Sequence, residues 1–444
     1  MHACRNTVRF SLALFKILLK MGTSLLILSS AIFVAGYICI ALEHSLKVSK
    51  SAVALITGTL LWLLVALSKS GQGISDDLTH AGSEVFSIVV FLLAAMSLIE
   101  ILVHYRFFDI IRGKLFALKL NEHKQFLIIS LLSFFLSAVI DNLTTTIIMI
   151  QISRRFFKGD NLLIATAGIV ISANAGGAFS PIGDVTTIML WFAKKFGTLE
   201  IIYKGFLPSF ALWLVSTSLL LRKIKPADND NENEVITRLS SSEIIVIASV
   251  FFSFSLPLIV SLMGLPPYFG LLFGLGFVWV LVDLLKRFKP GPTHLSASID
   301  DFLKKTDISS LKFFIGILLA VSALHSLGTL EMLAHYIYGD VPGTGSYITG
   351  NILLGLISSI LDNVPLTAMA IQMLNTTDSS LWILLAITAG TGGSLLVIGS
   401  AAGVVAMGMV KELSFGKYFK IAFVPALAGF AAAIIIWYLQ YWLF

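Results

Sequence analysis

An Asp-Asn pair stands in the middle of an apolar stretch, and the same arrangement occurs twice in this chain. The first copy reads SAVIDNLTTTIIMIQ (137–151) and the second reads SSILDNVPLTAMAIQ (358–372). At a constant offset of 221 residues, six positions are identical. A carboxylate and an amide are costly to bury in apolar surroundings. Because the pair recurs in register, the sequence predicts that the two copies are halves of one site.

The composition indicates a membrane protein rather than a soluble one. The chain has 444 residues, of which 57% are hydrophobic and 13% are charged, with a mean hydropathy of +0.92. Soluble domains carry about 25% charged residues, and a soluble chain this apolar would expose aggregating patches. We therefore expect a multi-pass protein whose main partner is the lipid bilayer. The net charge of +6 is attributed to cytoplasmic loops and not to a nucleic-acid partner.

Apolar stretches of ~20 residues predict about 10–11 membrane spans in two repeats. Cys4 and Cys39 provide neither a disulfide framework nor metal-ligand spacing. The predicted divisions are a signal-like or first membrane segment (1–42), a first repeat (24–222), a polar cytoplasmic linker (223–242) and a second repeat (243–444).

Each repeat contains two segments that are interrupted by polar residues or glycines. Segment 125–152 is too short for two full spans, but it fits two half-length helices with the Asp-Asn pair at the tip. Segment 346–373 repeats this plan. Segments 161–195 and 381–410 are predicted to be spans that glycines break. Since freed backbone groups at membrane depth need partners, we expect all four breaks to line one cavity.

The distribution of Lys and Arg predicts that the two repeats have opposite orientations. If both Asp-Asn segments enter and leave on the cytoplasmic side, the inner loops hold 22 Lys and Arg and the outer loops hold 4. This is a strong positive-inside bias. The predicted fold class is therefore an all-α membrane protein with two inverted-topology repeats, each with a re-entrant hairpin and a broken helix. Secondary transporters are built in this way.

The breaks are rich in oxygen ligands, which hard cations prefer. A carboxylate in such a site can exchange a proton for a cation, which couples the two movements without covalent chemistry. The candidate ligands are Asp141, Asn142, Thr144, Thr145, Thr146, Ser172, Asn174, Asp184, Thr186, Asp362, Asn363, Thr367, Thr391 and Ser394. We expect Na⁺ at Asp141, Asn142, Asp362 and Asn363.

Each of these residues also has a purely structural interpretation. The Asp-Asn tips suit helix capping, and the glycine runs suit close helix packing. Glu100 and His104 share a helix face. They form either a proton relay or a pair at the membrane interface. His325 lies in an apolar stretch, where it is either a titrating relay group or a satisfied buried histidine.

The motifs DNLTTT, SANAGGAFSPIGDVTT, LDNVP and GTGGSLLVIGSAAG resemble those of the NhaD-type sodium/proton antiporters of the ion transporter superfamily. The resemblance implies Na⁺ and Li⁺ export in exchange for H⁺ across a bacterial inner membrane, a fold similar to the divalent-anion/sodium symporters, and a homodimer. It implies a proton-linked role for Glu100. It also implies ion-site roles for Asp141, Asn142, Thr144, Asn174, Asp184, Thr186, Asp362, Asn363 and Ser394. The family tends to carry further acidic residues near the position where this chain has His325. This chain departs from that pattern, which argues against a proton relay through that helix.

Two other functions remain open. A Na⁺-coupled carboxylate or dicarboxylate symporter has the same architecture, but two aspartates would repel a dianionic substrate. An arsenite or oxyanion exporter is similar in fold, but the two cysteines lie far from the breaks. We find no nucleophile–base pair, phosphate loop or metal triad, so we predict neither an enzyme nor a cofactor beyond the transported Na⁺, Li⁺ and H⁺.

Overall fold

The computed structural model describes residues 22–69, 73–226 and 239–443. The regular structure within these ranges is α-helical, which confirms the prediction of an all-α chain. Nine of the helices described there are long and apolar enough to cross a membrane. The predicted signal-like segment up to residue 21 and linker residues 227–238 lie outside the described ranges.

The N-terminal helices are α1 (Gly22–Ala41), α2 (Glu43–Leu46), α3 (Lys50–Ser68), α4 (Ile74–His104) and α5 (Phe107–Ala117). The next are α6 (Glu122–Ser137), α7 (Asn142–Phe156), α8 (Gly159–Gly177), α9 (Val185–Phe192) and α10 (Thr198–Leu221). The middle of the chain forms α11 (Ser241–Leu262), α12 (Tyr268–Phe288), α13 (Pro292–Ser296), α14 (Ile299–Lys305), α15 (Ile308–Ser326) and α16 (Thr329–Tyr338). The last helices are α17 (Thr344–Ile357), α18 (Asn363–Met373), α19 (Ser379–Leu396), α20 (Ala401–Met409) and α21 (Phe415–Leu443).

Polar caps fix where several of these helices begin. The side chain of Asn121 accepts a hydrogen bond from the Lys124 amide at the start of α6, and Asp307 caps α15 in the same way. Ser240 and Glu243 form a reciprocal capping box at the start of α11. These side chains satisfy backbone donors that a helix leaves unpaired in its first turn.

The chain divides into two compact units. The first contains residues 1–89, 307–346 and 368–375. In its described part, α3 packs along α15, and the Ser51 hydroxyl donates to the Ser309 carbonyl at 2.7 Å. The hydroxyls of Ser29 and Thr329 lie 2.8 Å apart and join α1 to α16.

The second unit contains residues 90–306, 347–367 and 376–444. Here α8 packs against α6 and α7, and α21 packs against α10 and α19. The Ser216 hydroxyl donates to the Pro425 carbonyl at 2.9 Å, which ties α10 to α21 at the proline inside the latter. Among the largest fully buried side chains are Trp382 and Tyr418.

All four interruptions predicted from the sequence correspond to helix breaks in this second unit. The intervals lie between α6 and α7, between α8 and α9, between α17 and α18, and between α19 and α20. Asp141, Asp184 and Asp362 each stand immediately before the helix that follows a break. The re-entrant course and the opposite orientation of the repeats remain predictions.

Candidate functional site

In the first half of the chain, the helix before the Asp-Asn tip is packed directly against the broken helix. Gly176 in α8 faces the backbone carbonyl of Phe134 in α6, and a methyl group on Gly176 would overlap that oxygen. Gly183 faces the carbonyl of Ser137 in the same way. The Ser137 hydroxyl donates to the Ala173 carbonyl at 2.6 Å. These contacts hold the two breaks of this half side by side.

The second half repeats each of these contacts at equivalent positions. Gly392 in α19 faces the carbonyl of Gly355 in α17, and Gly399 faces that of Ser358. The Ser358 hydroxyl donates to the Ala389 carbonyl at 2.7 Å. Residues in and just after α6 correspond to those in and just after α17 at an offset of 221, and residues in and just after α8 correspond to those in and just after α19 at an offset of 216. The internal repeat is thus present in the packing as well as in the sequence.

The aspartates at both tips cap the helices that follow them. The Asp141 carboxylate accepts from the Thr144 amide at 2.8 Å and from the Thr144 hydroxyl at 2.6 Å. The Asp362 carboxylate accepts from the Val364 amide at 3.0 Å. Both aspartates therefore act as helix caps, as the structural interpretation predicts. A carboxylate has two oxygens with about four lone-pair positions, so capping leaves coordination capacity for a cation.

A chain of amides and hydroxyls joins the first tip to the second half. The Asn142 amide donates to the Asn174 side-chain oxygen at 3.0 Å. The Asn174 amide in turn donates to the Ser394 hydroxyl at 2.8 Å and to the Ser400 hydroxyl at 3.1 Å. All four side chains are buried. Asn174 therefore links the breaks of both halves through its two polar atoms.

The second tip meets the first half at Asp184. The Asn363 amide donates to the two Asp184 carboxylate oxygens at 3.4 and 3.2 Å. The Thr186 hydroxyl donates to the same carboxylate at 3.2 Å, and Thr187 completes a capping box at the start of α9. A Cβ placed on Gly390 of α19 would lie 3.0 Å from an Asp184 oxygen. The carboxylate is thus enclosed by elements of both halves.

The three helix breaks that carry aspartates meet at this place. Asp184 is 2% exposed and accepts from Asn363, the neighbour of Asp362, and the backbone amide of Asn142, the neighbour of Asp141, donates to the Gly183 carbonyl at 3.1 Å. Carboxylates so arranged repel one another, and a bound cation or proton removes that repulsion. The surrounding amide and hydroxyl oxygens are neutral ligands of the kind that hard cations take. The arrangement can therefore hold a small cation or a proton.

Three of the predicted hydroxyl ligands are hydrogen-bonded to helix carbonyls. The Ser172 hydroxyl donates to Gly168, that of Thr367 to Asn363 and that of Thr391 to Ile387, at 2.6 to 2.8 Å. Ser172 also lies 2.8 Å from the Ser130 hydroxyl. Their bonds run within their own helices or to this neighbour, rather than to the three carboxylates.

Two threonines near the start of α7, Thr145 and Thr146, have no such bond to a helix carbonyl within the described residues. The side chains of Thr145 and Thr146 are fully buried, and neither hydroxyl has a hydrogen-bond partner within the described residues. A buried hydroxyl without a partner is costly. An ion or a water at the start of α7 would satisfy these oxygens.

The predicted relay residues lie in different surroundings. Glu100 is half-buried on α4, and His104 Nε2 lies 2.7 Å from the Thr293 carbonyl oxygen. The adjacent Tyr105 hydroxyl lies 2.9 Å from Nδ1 of His294, whose Nε2 lies 2.8 Å from the Ser242 hydroxyl. His104 thus joins α4 to the segment around α13.

His325 belongs to the first compact unit. Its Nδ1 lies 3.4 Å from a Glu331 carboxylate oxygen, and its side chain is 44% exposed. This histidine is paired with an acidic residue rather than enclosed in an apolar core.

Two site residues were absent from our sequence-based ligand set. Ser400 occupies the position equivalent to Asp184 at the offset of 216, so the internal repeat could have identified it as a site residue. The Tyr418 hydroxyl donates to the Ser394 carbonyl at 2.8 Å and holds the end of α19. Tyr418 lies in the last long apolar helix, where no motif distinguished it.

Comparison with known proteins identifies the family. A family model described as "Citrate transporter" matches residues 37–378. "Sodium/proton antiporter 2" of Arabidopsis thaliana is 37% identical over 416 residues, which cover 91% of this chain and 97% of that protein. "Na(+)/H(+) antiporter NhaD" of Alkalimonas amylolytica is 31% identical over 438 residues, covering 90% of this chain and 88% of that protein. The chain belongs to the NhaD family of sodium/proton antiporters.

Other members support this assignment. "Na(+)/H(+) antiporter NhaD" of Halomonas elongata is 30% identical over 437 residues, covering 91% of this chain and 86% of that protein. The named relatives are antiporters or transporters and not enzymes, which confirms the prediction of a non-enzymatic membrane protein. The family membership and the nine apolar helices establish a multi-pass membrane transporter.

Proposed function

We propose that this protein exports cytoplasmic Na⁺ and Li⁺ in exchange for external H⁺ across a bacterial inner membrane. The observation that carries the proposal is the meeting of three aspartate-bearing breaks from both halves: Asn363 of the second tip donates to Asp184, and the Asn142 amide of the first tip donates to the Gly183 carbonyl. The names of the relatives agree with it. The transported ions are the substrates, and the reaction needs no further cofactor.

In the proposed exchange, Na⁺ and H⁺ compete for the same carboxylates. Na⁺ binds when these groups are ionised, with further oxygens from Asn142, Asn174 and the hydroxyls of Thr145 and Thr146. A proton arriving at Asp184 removes its charge, weakens Na⁺ binding and releases the cation. Because the site holds one or the other, opening alternately to each side moves them in opposite directions.

The repeats supply the means for alternating access in this proposal. The glycine contacts fix each hairpin helix to the broken helix of its own half. At the site, the halves meet through side-chain bonds such as that between Asn363 and Asp184. Inverted repeats with such broken helices let one element rock against another around a midplane site. The inverted orientation, the inner-membrane location and a homodimer are parts of this proposal.

A second candidate is a Na⁺-coupled carboxylate symporter, which the description of the matching family model favours. The side chains that converge at the site described above are acidic or neutral. Three carboxylates would repel a polyanion such as citrate, whereas they attract a cation. We therefore rank antiport first.

The test is proton release in everted membrane vesicles that carry a fluorescent ΔpH probe. NaCl and LiCl should dequench the probe, and choline chloride should not. Asp184→Asn removes the enclosed charge with little change in shape and should abolish the Na⁺ response. Asp160→Asn is the matched control, because Asp160 is 75% exposed and paired with Lys225.

Two results would overturn the proposal. Wild-type vesicles that fail to dequench with either cation would exclude antiport under these conditions. Na⁺-driven citrate uptake into proteoliposomes, without Na⁺-dependent proton movement, would instead establish the symporter. Equal activity of the Asp184→Asn and Asp160→Asn variants would remove Asp184 from the exchange.

A further inference from the structure

A cavity lies apart from the helix breaks, between the end of α4, the first half of α5 and the last half of α7. Its volume is about 110 Å³. Since one water takes about 30 Å³ in the liquid, this space holds several waters or one phosphate group. The wall contains the polar residues Arg106, Asp109, Arg112 and Gln151, with apolar residues that include Val103 and Ile152.

The charges of the wall match a single anion. Arg112 Nη1 lies 3.1 Å from an Asp109 carboxylate oxygen, so these two charges largely compensate each other. Arg106 is exposed and adds one further positive charge. The wall therefore has a net charge of +1, which one phosphodiester would neutralise. Guanidinium groups bind phosphate oxygens in pairs, and the exposed Gln151 amide can donate a further hydrogen bond.

The backbone at Arg106 is consistent with a role for its side chain. Arg106 has φ 59°, in the left-handed region that favours glycine. It makes the sharp bend between α4 and α5. A glycine would make this bend at lower backbone cost, whereas the arginine places a guanidinium in the wall of the cavity.

The position of the cavity favours a lipid over a soluble anion. It lies where α4 ends, and α5 is anchored there by Phe107 against Phe251 (ring centroids 5.0 Å apart) and Phe116 stacked on Phe156 (4.3 Å). Val103 at its edge is 46% exposed in the final turn of an apolar span. A ligand here meets charged groups on one side and apolar surface on the other, which suits a headgroup followed by an acyl chain.

We propose that this cavity binds the phosphate of an anionic phospholipid, with Arg106, Arg112 and Gln151 as donors. Basic pockets between transmembrane helices are suited to such headgroups. The lipid would bridge α5 and α7, and α7 begins at the Asp141 tip of the candidate ion site.

The experiment measures lipid retention by native mass spectrometry of the full-length protein, delipidated in a neutral detergent. Phosphatidylglycerol, phosphatidylcholine and inorganic phosphate are added separately. Wild type should retain phosphatidylglycerol over phosphatidylcholine. The double variant Arg106→Gln/Arg112→Gln should lose at least about tenfold in affinity for phosphatidylglycerol, with phosphatidylcholine binding unchanged.

Two further variants separate a built site from diffuse surface charge. Lys114→Gln/Lys119→Gln removes two positive charges from the same basic segment, outside the cavity wall, and should retain wild-type affinity. Gln151→Leu removes a donor without changing the charge and should weaken phosphatidylglycerol binding several-fold. Gel filtration identifies any variant that has not folded, and Gln151→Leu keeps the test valid if the double arginine variant fails.

Three results would overturn the proposal. Equal losses in the arginine and lysine variants would indicate a diffuse surface effect. Wild-type binding that does not distinguish the two lipids would exclude an anionic headgroup site. Displacement of phosphatidylglycerol by equimolar inorganic phosphate would assign the cavity to a soluble anion.

Discussion

Replacing Gly176 or Gly392 by alanine should destabilise the protein to a similar extent. Gly176 in α8 faces the Phe134 carbonyl oxygen in α6, and Gly392 in α19 faces the Gly355 carbonyl oxygen in α17. The obstructing atoms are backbone atoms, so a side-chain rotation cannot relieve the overlap. The helices must separate, which also strains the neighbouring serine–carbonyl bond in each half.

The size of the effect follows from these contacts. Forcing a methyl group into a well-packed contact costs about 1–3 kcal/mol, and weakening one buried hydrogen bond adds about 1 kcal/mol. We therefore expect a loss of about 2–4 kcal/mol for each variant. At an open helical position the same substitution has the opposite sign, because alanine is about 0.8–1.0 kcal/mol more favourable than glycine.

Gly276 provides the matched control. It is exposed in the middle of α12, and a Cβ there would meet no atom within 4 Å. Fluorescence-detected gel filtration after heating in detergent gives an apparent melting temperature for each variant. Gly276→Ala should melt at or above the wild-type temperature, and the other two should melt several degrees below it. If all three melt together, the close backbone approach is not what holds the breaks in place.

Three further predictions concern single side chains. Asn174→Ala removes the buried hydrogen bonds to three side chains, those of Asn142, Ser394 and Ser400. At about 1 kcal/mol for each partner this should cost about 3 kcal/mol, measured as a fall in melting temperature. A loss below about 1 kcal/mol would contradict the proposed linking role. Thr145→Val removes a buried hydroxyl that has no partner among the described residues, so the free energy of unfolding should rise by about 1 kcal/mol. Vesicles that carry this variant should need several-fold more Na⁺ for half-maximal dequenching. An unchanged Na⁺ requirement would exclude this hydroxyl as a ligand. Burial lowers the pKa of His294; the charge of Glu243 opposes this shift and that of His104 adds to it. As the pH falls, the unfolded chain therefore binds a proton at this histidine before the folded protein does. The stability that depends on His294 is complete above about pH 6.5 and falls as the pH drops towards the folded-state pKa. His294→Gln should flatten the acid side of the stability profile, and an unchanged profile would contradict the assignment.

The helix breaks could be predicted because few conformations suit polar residues inside apolar segments. Asp141 and Asp362 interrupt two such segments, and each was found immediately before a new helix. The unchanged spacing of the glycines indicated that α8 and α19 correspond, and the contacts of α8 with α6 do recur between α19 and α17. Local sequence determines this much because capping and close packing are short-range effects.

The pairing between halves could not be predicted in the same way. That Asn363 would donate to Asp184, and Asn174 to Ser394, depends on how distant segments pack. Nor could hydropathy separate an inward-facing residue from one at the protein surface, since a span is apolar on both sides. His325 illustrates this, because its apolar stretch allowed either a titrating relay group or a buried histidine, whereas its side chain is 44% exposed and paired with Glu331.

The two halves contribute unequally to the site despite their similar packing. Both tips rest on the first half, since Asn142 bonds to Asn174 and Asn363 bonds to Asp184. The broken helix of the second half offers the hydroxyls of Ser394 and Ser400 where the first offers a carboxylate. A symmetric arrangement would place a fourth acidic group at Ser400 and increase the mutual repulsion of the carboxylates. The serine avoids this cost, so the departure from symmetry adjusts the charge of the site while the repeat preserves its shape.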